Sequence, residues 1–369
     1  MLYRELGRSG IKVSAVSFGA MRWPSADECK RIMHRGLDLG LNYVDSSTGY
    51  EGGQCEPWTG AAVAGRRGEI LFSAKAHWNA APPADVVRRT IETSLQRTGL
   101  KTFDFYQVWG LQTMEVVEAL LAKGGTIEGV RKAMDDGLVR HGIGFTFHGT
   151  PEVFRAAIDT GEFLCATVSY NLMNRKEEDN IAYAAERGVG IIIMNPLAGG
   201  VLGLAGDASL DFLRNGDSSP AYGALRFLLA NPGISTAIVG FSRVEEVDEA
   251  VAALDGAEAL DQAYRQDLIR RLDAVQLIEG DFCTGCGYCK ECPQGVNPSR
   301  FMQAMRDFVR YGVDENALAR WLLSRYPHSS IRDELAKCTA CGTCEQKCPQ
   351  HLKIIESIDR AKAALAVTP

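Results

Sequence analysis

The stretch "EILFSAKAHWNAAPPADVVRRTIETSLQRTGLKTFDFYQVWG" at residues 69–110 contains one complete strand–helix–strand unit. An apolar strand at 69–75 is followed by an amphipathic segment at 83–100 and a second strand at 103–110. The middle segment begins at a proline and ends near a glycine, which favours a helix there. Strands that are apolar along their length and alternate with helices predict a parallel sheet covered by helices.

The same unit recurs along the chain from residue 12. The predicted strands are 12–19, 41–46, 69–75, 103–110, 142–147, 166–171, 190–196 and 236–241. Eight such units in succession predict an α/β fold of the (β/α)8 TIM-barrel class. A doubly wound open sheet is the alternative, but the G-x-G-x-x-G turn expected after its first strand is missing.

The chain length suggests two domains. A single core stops growing near ~250–300 residues, and this chain has 369. The strand–helix rhythm ends after about residue 257, so we predict a barrel domain at 1–275 and a smaller domain at 276–369.

The formal net charge of −6 argues against nucleic acid or an anionic membrane as the main partner.

The sequence also predicts a cytoplasmic protein. Its N-terminus has no apolar stretch of the signal-peptide type. The most apolar segment, at 188–206, is interrupted by Asn195 and Pro196, which argues against a membrane span. Eleven cysteines without a signal sequence favour metal ligation in a reducing compartment over disulfides.

Two cysteine runs near the C-terminus predict iron–sulfur clusters in a small helical, ferredoxin-like domain. The runs comprise Cys283, Cys286, Cys289 and Cys292, and Cys338, Cys341, Cys344 and Cys348. The second run has the bacterial ferredoxin spacing, in which three close cysteines bind one [4Fe–4S] cluster and the fourth binds its neighbour. We therefore expect Cys348 to complete the first set and Cys292 the second. Because the first run is one residue short before Cys292, the cluster to which Cys292 belongs stays open. Structural zinc is the alternative, but it favours two cysteine pairs separated by a longer spacer.

Polar side chains at the carboxyl ends of the predicted strands indicate a catalytic site. In such barrels the chemistry lies at those ends, where Asp45, Lys75 and, in the loop after strand 2, Tyr50 are found. An ammonium near a phenol lowers the phenol pKa, since it favours the phenolate. Tyr50 would then act as general acid or base, with Lys75 assisting and Asp45 holding Lys75 in place. The alternative is a structural Asp–Lys ion pair with Tyr50 on the surface.

These motifs resemble those of the aldo-keto reductase family over nearly all of residues 1–255. The opening "YRELGRSGIKVSAVSFGAM" and the segments "NYVDSSTGY" and "ILFSAK" carry the resemblance. It implies a TIM barrel that reduces carbonyls with NADPH through an Asp, Tyr, Lys, His tetrad, of which Asp45, Tyr50 and Lys75 match three members. A branch of the family also has a paired C-terminal cysteine domain with two [4Fe–4S] clusters.

The fourth tetrad position departs from the family pattern. Trp109 stands where the family usually has histidine, and an indole N–H donates a hydrogen bond but does not accept one. Trp109 is therefore a candidate member of the site with an altered role. His77 and His148 are candidates to replace the histidine, and each is equally compatible with a structural role.

The nicotinamide contacts implied by the resemblance are altered as well. We name Thr146, Asn171 and Arg243 as candidate cofactor-binding residues. The positions that depart from the family pattern are Thr146-Phe147 for a Ser-Asn pair, Thr167 for glutamine, Met194 for an aromatic residue, and Glu246 and Ala250 for Arg and Asn. A carboxylate beside the cofactor 2′-phosphate repels it, which weakens the case for NADPH.

The sequence thus predicts an iron–sulfur oxidoreductase that acts on a small carbonyl or alcohol. Electrons pass through two [4Fe–4S] clusters, either with NAD(P)H or with an external ferredoxin or flavodoxin in its place. One alternative is an electron-transfer or regulatory protein whose barrel has lost catalysis. Another is a non-redox isomerase or lyase in which the clusters are structural.

Overall fold

The structure is a computed structural model that describes residues 1–76, 81–204, 208–275, 282–310, 317–326 and 331–366. The chain divides into two compact units: residues 1–197 with 201–271, and residues 198–200 with 272–369. The domains 1–275 and 276–369 remain our proposal, because residues 276–281 at that boundary lie outside the described ranges.

The first unit contains a closed barrel of eight parallel strands, which confirms the predicted fold class. The barrel strands are β3 Val16–Gly19, β4 Tyr43–Asp45, β5 Leu71–Lys75, β6 Phe103–Leu111, β7 Val139–Phe147, β8 Cys165–Ser169, β9 Gly190–Met194 and β10 Thr236–Val239. They pair in chain order, and β10 closes the barrel against β3. Parallel pairing places the carboxyl ends of all eight strands at one mouth.

Helices follow the strands on the outside of the barrel. They are α1 Ala26–Asp38, α2 Cys55–Val63, α3 Ala84–Thr98, α4 Met114–Leu121, α5 Thr126–Asp135, α6 Pro151–Asp159, α7 Glu178–Glu186, α8 Ala221–Leu229, α9 Val244–Ala252 and α10 Gln262–Ala274. Capping residues are found at both kinds of helix terminus. Ser25 caps α1 by accepting the Glu28 N–H at 3.2 Å, and Gly99 ends α3 with a φ of 68°.

The predicted first strand, 12–19, is two strands in the structure. Its first part forms β2 Lys12–Ser14, which pairs antiparallel with β1 Tyr3–Glu5, and its second part is β3 of the barrel. Ser14 marks the break: its hydroxyl accepts the Asn42 N–H at 3.2 Å, and its own N–H donates to Asn42 Oδ1 at 2.7 Å. The side chain of Leu6 is fully buried in the apolar cluster with Tyr43, Phe105 and Cys165. The hairpin thus closes the end of the barrel opposite the mouth.

The second unit contains five helices in its described ranges: α11 Pro298–Arg310, α12 Leu318–Arg325, α13 Ile331–Ala336, α14 Thr343–Gln346 and α15 Ile354–Ala366. Their core includes Phe301, Leu322 and Ile358, and five of the cluster cysteines pack against it: Cys283, Cys292, Cys338, Cys344 and Cys348. None of the helices in the described ranges of the whole chain combines the length and the apolar character needed to cross a bilayer.

Candidate functional site

Asp45 and Lys75 lie side by side at the carboxyl ends of adjacent barrel strands. Asp45 is the last residue of β4 and Lys75 the last of β5. The strand register pairs Asp45 with Ser73 and Lys75 with Gln107. Lys75 and Asp45 are 3% and 1% exposed and form a direct ion pair. The structure thus brings these two candidate site residues into direct contact.

The Asp45 carboxylate is held by several donors. Lys75 Nζ donates to Oδ1, and Gln107 Nε2 donates to Oδ2 at 2.6 Å. Burial raises the pKa of Asp45 above its ordinary value, and the Lys75 charge and the hydrogen bonds from Lys75, Gln107 and Ser73 oppose this rise. These donors favour the ionised carboxylate, which in turn fixes the position of the Lys75 ammonium.

Tyr50 lies over the Lys75 ammonium. It begins a short 3-10 turn, Tyr50–Gly53, after β4, and the Tyr50 N–H donates to Ser47 O at 3.3 Å. Lys75 Nζ is 5.0 Å from the centre of the Tyr50 ring, and the tyrosine is half-buried. The Tyr50 ring therefore lies close to the buried ammonium and is partly accessible to solvent.

Gln107 is a polar residue of this site that the sequence analysis did not single out. It lies in the middle of β6 and is fully buried. Its amide contacts Asp45, Ser73 and Thr167, so it connects three other barrel strands. The available signal was a lone amide within the apolar strand "FDFYQVWG" at 103–110, because a buried polar side chain in such a strand needs partners.

The three residues considered for the role of the tetrad histidine lie in different places. Trp109 is half-buried and lies where the pairing of β6 with β7 is irregular, between Val108 and Leu111. Such irregularities re-aim side chains in barrels. His148 follows β7, is half-buried, and donates its backbone N–H to Leu111 O at 3.2 Å. His77 lies outside the described residues.

Two candidate cofactor contacts form hydrogen bonds within the fold. Thr146 Oγ1 accepts the Gly110 N–H at 2.7 Å. Asn171 Oδ1 accepts the N–H groups of Met173 and Asn174 at 2.9 and 3.0 Å, while its Nδ2 donates to Asn195 O at 3.0 Å. Both side chains are buried. Both side chains are thus engaged within the fold, Thr146 as an acceptor and Asn171 through both of its polar atoms.

The third candidate contact, Arg243, precedes α9. Its side chain is 72% exposed and lies 3.3 Å from Glu246. The Glu246 carboxylate accepts the backbone N–H groups of Ser242 at 2.7 Å and Arg243 at 3.3 Å. The N-terminus of a helix is favourable for an anion, and here an internal carboxylate takes that position.

The first set of cysteines lines one cavity of the second unit. The cavity has an empty volume of about 330 Å³ and is lined by Cys283, Cys286, Cys289 and Cys348. Three of these come from the first run and one from the second, as the ferredoxin spacing predicts. Lys347 and Glu291 form an ion pair of 3.2 Å that also joins the two runs.

The second set lines a separate cavity. It has an empty volume of about 340 Å³ and is lined by Cys292, Cys338, Cys341 and Cys344. The spacing alone left the partner of Cys292 open, and the structure brings it together with the three cysteines of the second run. Cys341 is exposed, whereas the other three are half-buried.

The thiol electrostatics of the first cavity fit a cationic cluster. Burial is the largest cause that raises the pKa of Cys289 to about 12, and repulsion from Cys286, Cys283 and Cys348 contributes to the rise. Burial likewise raises the pKa of Cys283 to about 11. Iron relieves this repulsion because it binds thiolates directly. No group of three or more His, Cys, Asp or Glu side chains in the described ranges has the spacing for a single metal ion. A [4Fe–4S] cluster would bind each of its four thiolates through a different iron atom. Its ligands therefore need not have the spacing of a single-ion site.

Fold and site together define a β/α-barrel protein with an iron–sulfur domain. Residues 15–266 match the aldo/keto reductase family, and residues 279–352 match the 4Fe-4S dicluster domain. The chain therefore belongs to the aldo/keto reductase family, and the resemblance inferred from its motifs is confirmed. Family membership and the names of several relatives indicate an oxidoreductase.

Three comparisons show the range of this similarity. L-galactose dehydrogenase of Arabidopsis thaliana is 28% identical over 74% of this chain and 93% of its own. A probable voltage-gated potassium channel subunit beta of Oryza sativa subsp. japonica is 26% identical over 69% of this chain and 92% of its own. The holo-form structure of an aldo-keto reductase from Bacillus halodurans is 25% identical, with a TM-score of 0.63 over 74% of this chain and 96% of its own.

Proposed function

We propose that this protein is an iron–sulfur oxidoreductase that interconverts a small carbonyl compound and its alcohol. The observation that carries the proposal is the buried Asp45–Lys75 ion pair with its ammonium 5.0 Å from the Tyr50 ring. A buried ion pair contributes little net stability. Its position at the barrel mouth beside a half-buried phenol therefore favours a chemical role.

In this proposal Tyr50 exchanges a proton with the substrate oxygen. During reduction the phenol donates a proton as the carbonyl oxygen becomes a hydroxyl, and during oxidation the phenolate accepts it. The Lys75 ammonium stabilises the phenolate, and Asp45 keeps that ammonium in place. Trp109 is a candidate to orient the substrate, because an indole N–H donates a hydrogen bond to an oxygen. His77 is retained in the proposal as a second candidate for that role.

The cysteines are proposed to hold two [4Fe–4S] clusters, which transfer electrons one at a time. Reduction of a carbonyl consumes two electrons and two protons. Two one-electron clusters would match the electron count, Tyr50 would supply the proton on oxygen, and solvent would supply the proton on carbon, which requires a substrate that tolerates a one-electron intermediate. An external ferredoxin or flavodoxin is the proposed electron partner. NAD(P)H is the other candidate source of electrons, although the hydrogen bonds of Thr146 and Asn171 are used within the fold.

A second candidate function is electron transfer or regulation by a barrel without catalysis. Trp109 in place of the tetrad histidine favours it, and one relative is named as a probable channel subunit. Against it stands the Asp45–Lys75 pair, since a barrel without a reaction has no need to bury those two charges together.

The two functions are separated by an anaerobic reoxidation assay. Dithionite-reduced protein is mixed with a panel of small aldehydes and ketones, and the cluster absorbance and product formation are followed, with and without NAD(P)H. We expect at least one carbonyl to be reduced by the wild-type protein. If no carbonyl is reduced with either electron source, the enzymatic function is rejected in favour of the second candidate.

A further inference from the structure

We propose that Gln107 is a positioning residue of this site, whose amide holds Asp45 ionised and correctly oriented for Lys75. The catalytic part of this inference rests on the proposed function. The hydrogen bond from Gln107 to Asp45 does not depend on that function. Gln107 is two residues before Trp109 on β6, so it also lies next to the altered tetrad position.

The contacts of Gln107 form a chain across the barrel interior. Its Nε2 donates to Asp45 Oδ2 at 2.6 Å and to Ser73 Oγ at 2.9 Å. Its Oε1 accepts the Thr167 hydroxyl at 2.6 Å. Both amide hydrogens are therefore directed at acceptors, and the amide oxygen has a donor.

The orientation of this amide follows from the chemistry of its neighbours. An ionised carboxylate only accepts hydrogen bonds, so the amide nitrogen must face Asp45. The Thr167 hydroxyl can donate, so it satisfies the amide oxygen on the other side. Reversing the amide would set its oxygen against the carboxylate and leave a buried repulsion, which the low-dielectric interior makes costly.

The barrel interior is shaped to admit the glutamine. Gly144 on β7 pairs with Gln107 in the strand register. A Cβ at residue 144 would lie 3.1 Å from Gln107 Cγ and 2.6 Å from Cys165 Sγ. The glycine thus leaves space for Gln107, whose side chain is fully buried.

The charged and titratable groups around Asp45 show which of them can stabilise its carboxylate together with Gln107. Those facing Asp45 in the barrel are Lys75, Tyr43 and Cys165. Burial raises the pKa of Tyr43 well above its ordinary value and that of Cys165 to about 12, so both are neutral near pH 7. Lys75 is then the one full positive charge among these groups, and Gln107 supplies a neutral donor on the opposite carboxylate oxygen.

The test is an infrared titration of the Asp45 carboxyl group in the full-length, cluster-containing protein. The band is assigned by its loss in Asp45→Asn. Gln107→Leu removes the donor, and we expect Asp45 to take up its proton at a pH about one to two units higher than in the wild-type protein, because hydrogen bonds to charged groups contribute ~1.5–3 kcal/mol. Gln107→Glu keeps the shape but adds a like charge, so its shift should be larger. If Gln107→Leu does not fold, Gln107→Met tests the same loss.

Thr167→Val is the matched control. It removes the hydroxyl that donates to Gln107 Oε1 but keeps the two N–H groups that Gln107 donates to Asp45 and Ser73. Its titration should stay close to that of the wild-type protein. The proposal is overturned if Gln107→Leu titrates like the wild-type protein, or if Thr167→Val shifts as much as Gln107→Leu. Any activity found should show its acidic limb moved to higher pH in Gln107→Leu. A shift in the infrared titration without any activity would instead count against the proposed function alone.

Discussion

The ammonium of Lys75 lies 5.0 Å from the centre of the Tyr50 ring while it forms a buried ion pair with Asp45. Three residues from two neighbouring strands and one loop thereby form a unit in which a charge is held next to a phenol. In aqueous surroundings such a charge would be screened, but here its screening is reduced by burial. The unit is the basis of the first two predictions.

Replacing Tyr50 by Phe should lower the turnover of any carbonyl substrate by about 10²–10⁴-fold, because positioned acid–base groups contribute that much. Steady-state kinetics on the substrate found by the reoxidation assay measures the loss. Tyr183→Phe is the control, since that hydroxyl hydrogen-bonds to Asp159 at 2.8 Å on an exposed face. Full activity of the Tyr50 variant would remove this residue as proton donor.

Replacing Lys75 by Met should destabilise the fold, because the Asp45 carboxylate is left buried without its counter-ion. We expect a loss of about 3–5 kcal/mol in the free energy of unfolding. Urea unfolding of the anaerobic protein measures it, and Asp45→Asn added to Lys75→Met should recover part of the loss.

The exposed pair of Arg89 and Asp85, 2.8 Å apart, provides the control for that experiment. Arg89→Met should cost less than about 1 kcal/mol, as exposed ion pairs do. Equal costs for Lys75→Met and Arg89→Met would mean that burial does not govern the Asp45–Lys75 pair.

The two cysteine sets are tested by paired substitutions. The wild-type protein purified under anaerobic conditions should contain about eight iron and eight sulfide per chain. Cys283→Ala with Cys348→Ala should leave about half of the iron, because both residues line the same cavity. Cys283→Ala with Cys344→Ala should remove nearly all of it, since Cys344 lines the other cavity.

Iron and sulfide analysis with electron paramagnetic resonance reads out these variants. Cys165→Ala is the control, because this buried cysteine belongs to the barrel core, and it should keep the full iron content. Similar iron content in the two paired variants would contradict the cross-run ligand sets. Stoichiometric zinc without sulfide in the wild-type protein would contradict the clusters altogether.

Glu246 should discriminate against NADPH. Replacing it by Gln removes a negative charge near the N-terminus of α9, so affinity for NADPH should rise up to about tenfold relative to NADH. The loss of a negative charge in the first turn of α9 should cost about 0.3–1 kcal/mol of stability. Fluorescence titration with both nucleotides measures the change, and Glu245→Gln, an exposed neighbour on the same helix, is the control.

An unchanged NADPH-to-NADH ratio in Glu246→Gln would show that this carboxylate does not face the nucleotide. Absence of binding of either nucleotide to the wild-type protein and the variant would leave the clusters as the electron source. Micromolar binding of NADPH to the wild-type protein would exclude the electron route that uses no nicotinamide cofactor.

The barrel was predictable from the sequence because its periodicity is local. Apolar strands and amphipathic helices alternate, and that alternation specifies the class whatever the details of packing. The break of the first predicted strand near Ser14 was not predictable in this way, because it depends on Asn42, a residue distant in sequence.

The sequence alone was sufficient to place Asp45 and Lys75 at strand ends and to recognise the two cysteine runs as a ligand set. Strand ends fix where Asp45 and Lys75 lie, and the cysteine spacing fixes the type of ligand set. Only the tertiary structure decided that Gln107 completes the Asp45 site and that Cys292 joins the cavity of the second run. The physical reason is that these contacts join residues distant in sequence. Their partners are set by strand register, barrel closure and helix packing, and no local pattern encodes those distances.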